Sequence, residues 1–440
     1  MKEQRVTVMG LGHFGGGLGV TRWLCEAGAR VLLTDVEPEE KLTEALNVLR
    51  PWMRSGSLTL RLGGHDERDF AQCDLVVANP AVPRPWSSRY LLAARHAGVP
   101  ITTEIRMLTQ RLDRSRVIGI TGSAGKSTTT AMIHHLLTKL GRRAHLGGNI
   151  GGSLLCELPT IGRDDLVVLE LSSAMLWWLG ENELSPAKPG FSPACGVLTN
   201  VAPNHLDWHE SFEHYRDSKE NIFRFQHPGE IRIVGEELLL PASAIELALP
   251  GSHNQRNAFT AATAVHRVTG TPMDALLSLL RDFRGLPHRL EFVGEIAGRR
   301  YYNDSKSTTP EATILAVRAF DEPRRIHLIV GGYDKKIDLS PIAGLAAEIA
   351  GLYTIGQTGR ALASSAGARG RAEFCSELTT AIDLARSRMR EGDLLLLSPG
   401  CASWDQFRNY EERGKVFKSA VSADDGRSAD DRSPQHLGTR

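Results

Sequence analysis

The sequence predicts an α/β protein of three successive units, each built on a parallel sheet. Apolar strands recur that run into glycine- or serine-rich loops and then into helical patterns, as at Val117, Arg5 and Ile326. The 440 residues exceed one ordinary domain, and at roughly 150 residues per domain they suggest three. Pro and Gly punctuation at Gly285-Leu286-Pro287 suits a boundary between units. The units expected are 1–113, 114–285 and 286–420, followed by a tail, 421–440, of Asp, Arg, Ser and Gly with little to bury.

The first unit opens with the strand Arg5-Val6-Thr7-Val8-Met9 and then Gly10-Leu11-Gly12-His13-Phe14-Gly15, a G-x-G-x-x-G loop entering an apolar helix. A second strand, Arg30-Val31-Leu32-Leu33-Thr34, ends at Asp35, where a dinucleotide fold places its ribose-binding acid. The extra glycines Gly16, Gly17 and Gly19 blur that template, and a flexible loop is the competing reading. A third strand, Leu75-Val76-Val77-Ala78, runs into Asn79-Pro80-Ala81-Val82-Pro83, a loop at a strand's carboxyl end, where open α/β sheets bind ligands.

The second unit starts on Val117-Ile118-Gly119-Ile120-Thr121-Gly122-Ser123-Ala124-Gly125-Lys126-Ser127-Thr128. A strand, a glycine loop and a helix in that order make a phosphate cradle. Backbone N–H groups point at phosphate oxygens, Lys126 neutralises the terminal phosphates, and the Ser127 hydroxyl reaches Mg²⁺. The general pattern G-x-x-x-x-G-K-[ST] is not met, because Ile120 stands where its first glycine belongs. The helix behind carries Met132, Ile133, Leu136, Leu137 and Leu140 at spacings of three and four, as a sheet-packing helix does. Next comes 146–152, rich in glycine with one amide at Asn149, read as a loop. The strand Leu166-Val167-Val168-Leu169 ends in Glu170, the position from which a carboxylate holds Mg²⁺ beside a phosphate loop.

Another strand, Gly196-Val197-Leu198-Thr199-Asn200, leads to His205, Asp207 and His209, whose spacing is not that of a closed zinc site. Lys219 reads from its neighbours as a surface lysine, and Asn254 and Asn257 as helix caps or ligand contacts. The third unit holds the strands Ile326-His327-Leu328-Ile329-Val330 and Leu394-Leu395-Leu396-Leu397 with helical runs between, a third parallel α/β unit.

A formal net charge of +1 supplies no basic field for nucleic acid, so a small substrate is expected. Six cysteines without C-x-x-C spacing fit reduced thiols rather than a disulfide frame or a structural metal. No apolar run approaches the ~18 residues of a membrane span, so the cytoplasm is the expected compartment.

Taken together, the variant loop 119–128, Gly147-Gly148-Asn149-Ile150-Gly151, Glu170-Leu171-Ser172-Ser173, 200–207, Gly285-Leu286-Pro287-His288-Arg289, Asn303-Asp304-Ser305-Lys306 and Leu397-Ser398-Pro399-Gly400-Cys401-Ala402-Ser403 resemble the Mur ligases. These are the ATP-dependent amide-forming enzymes of peptidoglycan precursor synthesis. The closing run with Asp405-Gln406-Phe407 is most similar to the member that adds D-glutamate to UDP-N-acetylmuramoyl-L-alanine. The resemblance implies a Rossmann-like UDP-binding domain, a central P-loop ATPase and a Rossmann-like amino-acid domain.

It implies ligands for each. Gly122, Ser123, Ala124, Gly125, Lys126, Ser127, Thr128, Asn254, Asn257, Arg289 and Asp304 would take ATP, and Gly12, His13, Phe14, Gly15, Asp35 and Asn79 the UDP moiety. Asn149 and His205 would lie nearer the reacting end. Lys306, Thr308, Lys335, Ser403, Trp404 and Tyr410 would hold the amino acid. Two Mg²⁺ ions would sit on Ser127 with Glu170 and on His205 with Lys219, the lysine carrying a CO₂-derived carbamate. Lys126, His205 and Lys219 would be the catalytic set, in a monomer. Three features depart from the family: Met175 stands where a glutamine is usual, and both the Gly15-Gly16-Gly17 run and 181–193 are unusual. The alternatives are another ligase of this superfamily, folylpolyglutamate-synthetase-like included, and a non-enzymatic nucleotide sensor.

Overall fold

The computed structural model of the chain describes residues 1–11, 15–184, 189–241, 245–335 and 337–425. Gly12, His13 and Phe14 lie outside the described residues, as do 185–188 of the unusual segment and 426–440 of the tail. Among the described residues, no helix is long and apolar enough to cross a membrane.

The chain forms three sheets. The first contains β1 (Arg5–Met9), β2 (Arg30–Asp35), β3 (Leu58–Leu62), β4 (Leu75–Ala78) and β5 (Ile101–Thr103), all parallel in the order β3-β2-β1-β4-β5. The second contains β6 (Val117–Thr121), β7 (Ala144–Gly148), β8 (Leu166–Glu170), β9 (Cys195–Leu198) and β10 (Ile231–Val234), parallel in the order β10-β9-β6-β8-β7. The third contains β11 (Glu291–Ile296), β12 (Arg299–Asn303), β13 (Ile326–Gly331), β14 (Gly351–Ile355), β15 (Ala372–Ser376) and β16 (Leu394–Leu397) in the order β11-β12-β16-β13-β14-β15.

Each order places candidate loops where the strand sequence reverses direction across the sheet, the crevice in which open α/β sheets bind ligands. In the first sheet β1 and β4 are neighbours, so the loops after Met9 and Ala78 flank one crevice. In the second, β6 lies between β8 and β9, which sets the loop after Thr121 beside Glu170 and the chain after Leu198. In the third, β13 pairs with β16, bringing the loop after Gly331 to the loop after Leu397.

The residues that build the sheets alternate between two cores. Leu328, Val330, Leu394 and Leu396 enter one core of the third sheet, while Ile329, Leu395 and Leu397 enter the other. That period of two, in strands covered on both faces, explains their unbroken apolar runs.

Three expectations change. Leu146-Gly147-Gly148, read as loop, ends the edge strand β7, because glycines can follow a strand where a close neighbour denies room for a side chain. A Cβ on Gly148 would fall 2.3 Å from the Glu170 carbonyl oxygen. The third sheet is mixed, since β11 runs antiparallel to β12 in a hairpin at its edge. The helix Tyr410–Asp425 extends into the stretch expected to bury nothing, and Val421 packs into the second core of that sheet.

By contacts the chain falls into two compact units, Met1–Ile245 with Arg256–Leu280, and Glu246–Gln255 with Arg281–Arg440. The first two sheets share one unit and one core, in which Val6, Val8 and Leu24 join Val117, Val167 and Leu169. The helix Ser252–Thr269 is common property: its first residues count with the second unit and the rest with the first.

Candidate active site

The phosphate loop takes its shape from two glycines and from the chain after β9. Gly122 has φ +150 and Gly125 φ +78, and at either one a Cβ would collide, 1.8 Å from Thr199 Oγ1 and 2.4 Å from Asn257 Oδ1 respectively. The Ala124 amide donates to Asn200 Oδ1 at 2.9 Å, and Thr199 Oγ1 donates to the Ala124 carbonyl at 2.6 Å. Helix Lys126–Lys139 follows with no side-chain cap on its first turn, so its first amides and dipole face the loop. Lys126 Nζ donates to the carbonyls of Gly122 at 3.0 Å and Ser123 at 3.3 Å, while Ser127 and Thr128 are half-buried at the same end.

Beside this loop stands Glu170, 0% exposed at the end of β8. Its Oε1 accepts from Asn149 Nδ2 at 2.9 Å, but its Oε2 is buried with no hydrogen-bond partner. A buried carboxylate oxygen without a partner is costly, and a hard cation with oxygen ligands is the group that satisfies it. The Glu170 carboxylate therefore fits Mg²⁺.

Lys219 reverses its surface reading: it is 1% exposed on the helix Phe212–Arg224. Its Nζ donates to the Gly122 carbonyl at 2.7 Å and lies 4.7 Å from the centre of the Tyr215 ring. Burial pushes its amine down to about 6, the Lys126 charge acting in the same direction and Glu170 against it. Tyr215 in turn shares a 2.9 Å hydrogen bond with Ser123 Oγ. Sequence reasoning passed over Tyr215, although its place one turn before Lys219 puts both on one helix face.

His205 caps the next short helix in a left-handed conformation, φ 51. Partial burial and the Lys126 charge lower its pKa. His209, two residues past Asp207, turns the other way: its Nε2 meets Ser173 Oγ at 2.9 Å and its Nδ1 meets His214 at 3.1 Å. Among the described residues, no group of three His, Cys, Asp or Glu is placed to hold a metal ion.

These groups open on a cleft of about 410 Å³ within the first unit. Its lining runs from Gly10, Gly16 and Asn79, through Asn149 and Met175, to His205, Lys126 and Lys219. Asp35 lies behind it: Oδ2 accepts from the Leu11 amide at 2.8 Å and Oδ1 from the Glu37 amide at 2.9 Å, which ties β2 to the first glycine loop. Asn79 Oδ1 accepts from the Ala81 amide at 2.9 Å and holds the proline loop in a turn. Gly15 adopts φ 80 at the head of the helix Gly16–Glu26. Glu104 also lines the cleft, a contributor no sequence signal marked, because a carboxylate at a strand end reads as solvated.

Asn257 packs on Gly125 in the first unit, whereas Asn254 belongs to the second, where its Nδ2 donates to the Pro250 carbonyl at 2.6 Å. In the second unit Arg289 is exposed, and Asp304 is 3% exposed with Oδ1 accepting from the Leu290 amide and Oδ2 from Ser398 Oγ. Burial pushes the Asp304 carboxyl up to about 6.

The amino-acid candidates gather at the carboxyl ends of β12, β13 and β16. Exposed Lys306 lies 5.8 Å from the centre of the Tyr410 ring, and exposed Lys335 lies 5.2 Å from that of Trp404. Thr308 is half-buried on the loop that begins with Asp304, and Ser403 is 2% exposed on the loop after β16. Two ammonium groups on aromatic faces make a surface suited to a small dicarboxylate.

Comparison with known proteins agrees with this geometry. Residues 120–237 match the family described as Mur ligase middle domain, and residues 288–401 match Mur ligase, glutamate ligase domain. The UDP-N-acetylmuramoylalanine–D-glutamate ligase of Pelotomaculum thermopropionicum is 34% identical, over 95% of this chain and 97% of that protein. The protein of the same name from Roseiflexus sp. is 35% identical, over 96% and 98%. The structure of a UDP-N-acetylmuramate–alanine ligase from Thermotoga maritima shares the fold with TM-score 0.55 at 19% identity, covering 96% of this chain and 100% of that one. The chain belongs to the Mur ligase family, and relatives that match it over nearly their whole length are D-glutamate ligases.

Proposed function

We propose that the protein joins D-glutamate to UDP-N-acetylmuramoyl-L-alanine at the expense of ATP. The observation that carries the reading is the pairing of Lys219, buried with its amine pushed down to about 6, with Glu170 and its unpartnered buried oxygen, both beside the phosphate loop. A simple nucleotide sensor has no use for that pair.

The alanyl carboxylate attacks the γ-phosphorus, and the bond from that phosphorus to the bridging oxygen of ADP breaks. The amine of D-glutamate then attacks the acyl carbon, phosphate leaves with the carbon–oxygen bonding pair, and the amine gives up a proton. Two polyanions meet in the first step, so positioning and charge neutralisation dominate. Lys126 supplies a cation at the head of its helix, the amides of Gly125, Lys126 and Ser127 at that helix start supply donors, and Asn149 orients Glu170. Mg²⁺, held by Glu170 and Ser127, would neutralise phosphate charge, with a second ion on His205 and Lys219.

For that second role Lys219 must become an anion. Its neutral amine attacks the carbon of CO₂, an N–C bond forms, a C=O π pair moves to oxygen, and a proton leaves to solvent. The product is a carbamate that offers oxygens where an ammonium offered none. The cleft from Gly10 to Asn79 would take the UDP moiety with Asp35 shaping its loop, and the lysine pair of the second unit would take D-glutamate. ATP would also engage Asn254, Asn257, Arg289 and Asp304. Both nucleotide substrates belong to the cytoplasm, where the protein would act as a monomer.

Phosphate release from ATP with the UDP substrate and a panel of amino acids tests the assignment. D-glutamate is expected to exceed L-glutamate, L-alanine and diaminopimelate by at least about 100-fold in kcat/KM, and parity among them overturns it. Lys219→Ala is expected to lose at least about 1,000-fold in kcat. Depletion of bicarbonate from the assay is expected to slow the wild type reversibly and to leave the residual activity of the variant unchanged.

A further inference from the structure

The most deeply buried cation of the second unit is one the reaction does not yet use. Arg413 is 0% exposed on the helix Tyr410–Asp425. Among the described residues, no carboxylate lies within ion-pair distance of it. Its fork is instead spent on neutral groups of two loops. Nε donates to Ser305 Oγ at 3.0 Å, one terminal nitrogen to the Ser305 carbonyl at 2.8 Å, and the other to the Cys401 carbonyl at 3.1 Å. Ser305 Oγ passes its own proton to the Tyr410 carbonyl at 2.8 Å, closing the network onto the first residue of the same helix.

The two loops are those that carry the amino-acid candidates. Ser305 precedes Lys306 and Thr308, and Cys401 precedes Ser403 and Trp404. The helix also packs closely at the next residue: a Cβ on Gly414 would fall 2.0 Å from His288 Nδ1 and 2.9 Å from Asn303 Nδ2, at the end of β12 from which the Lys306 loop starts. Burying a guanidinium without a direct ion pair is costly, the more distant Asp405 charge offsetting only part of it, and an apolar side chain of similar volume fills such a space at less cost. Packing alone does not account for an arginine here. Its planar fork does, because it bonds two separate backbones at fixed angles, which a lysine's point charge does not. Although burial lowers it to about 10, the group remains a cation at neutral pH behind the surface where a dicarboxylate would dock.

We propose that Arg413 is a positioning residue for the amino-acid half of the reaction, setting the Lys306 loop and the Ser403 loop in register for a dicarboxylate amino acid. This rests on the reading that these loops receive the amino acid.

The test compares full-length wild type, Arg413→Lys and Arg413→Met, with the wild-type panel first identifying the amino acid used. Arg413→Lys keeps the charge and loses the fork; Arg413→Met keeps the volume and loses both. For that amino acid, KM is expected to rise by about tenfold or more in each variant, with KM for ATP and for the UDP substrate within about twofold. Trapping of the acyl phosphate by hydroxylamine without amino acid is expected to stay near the wild-type rate. An unchanged amino-acid KM in Arg413→Lys overturns the proposal. So does a parallel loss in all three KM values and in trapping, the mark of a merely structural residue. A wild type that prefers another amino acid corrects the D-glutamate reading and leaves the comparison of variants to decide the role of Arg413.

Discussion

Glu104 shows how one residue's burial becomes a property of the whole protein. It is 6% exposed, accepts a 2.6 Å hydrogen bond from Ser153 Oγ, and among the described residues has no ion-pair partner. Burial pushes its carboxyl up from 4.5 to about 7, so the folded protein holds a proton there that the unfolded chain releases. With the folded value above the unfolded one, its contribution is fully present below about 4.5 and is lost as pH rises through about 7. The loss is on the order of 3 kcal/mol at most. Glu104→Gln keeps the acceptor for Ser153 and cannot ionise. Urea unfolding at pH 5 and pH 8 is expected to show the wild type losing more stability between the two than the variant. Equal slopes would mean that the carboxyl is solvated in solution.

At the scale of elements, the phosphate loop was legible because its chemistry is local: a strand, two glycines, a lysine and a helix lie within twelve residues. The same holds for β1, whose valines and methionine lead to a glycine loop, and for β8, whose unbroken apolar run leads to Glu170. What stayed illegible depends on neighbours distant in sequence. β7 looked like a loop because Gly148 answers to Glu170 across the sheet, and Lys219 looked solvated because its acceptor, Gly122, lies 97 residues away. Gly125 joins the two kinds of information. Its sequence context marks a turn, and the structure adds that Asn257 occupies the space of any side chain. Gly125→Ala must hold φ +78 at a cost of about 1–2 kcal/mol and displace Asn257 as well. KM for ATP is expected to rise by about tenfold or more, while Gly141→Ala, with φ +69 and no atom within 4 Å of the added Cβ, is expected to leave it unchanged.

For the whole molecule, the division into two compact units makes a thermodynamic claim. Leu169 is 0% exposed in the core shared by the first two sheets, and Leu328 is 0% exposed in a core built only from the second unit. Where each unit buries its own apolar surface, each supplies its own unfolding enthalpy, and a single two-state transition is not the expectation. Calorimetry of the full chain is therefore expected to resolve two transitions. Leu169→Ala and Leu328→Ala each remove a buried side chain at a cost of about 2–5 kcal/mol. The first is expected to lower one transition and the second the other. If either substitution moves both transitions equally, the units unfold as one body and their division by contacts has no thermodynamic counterpart.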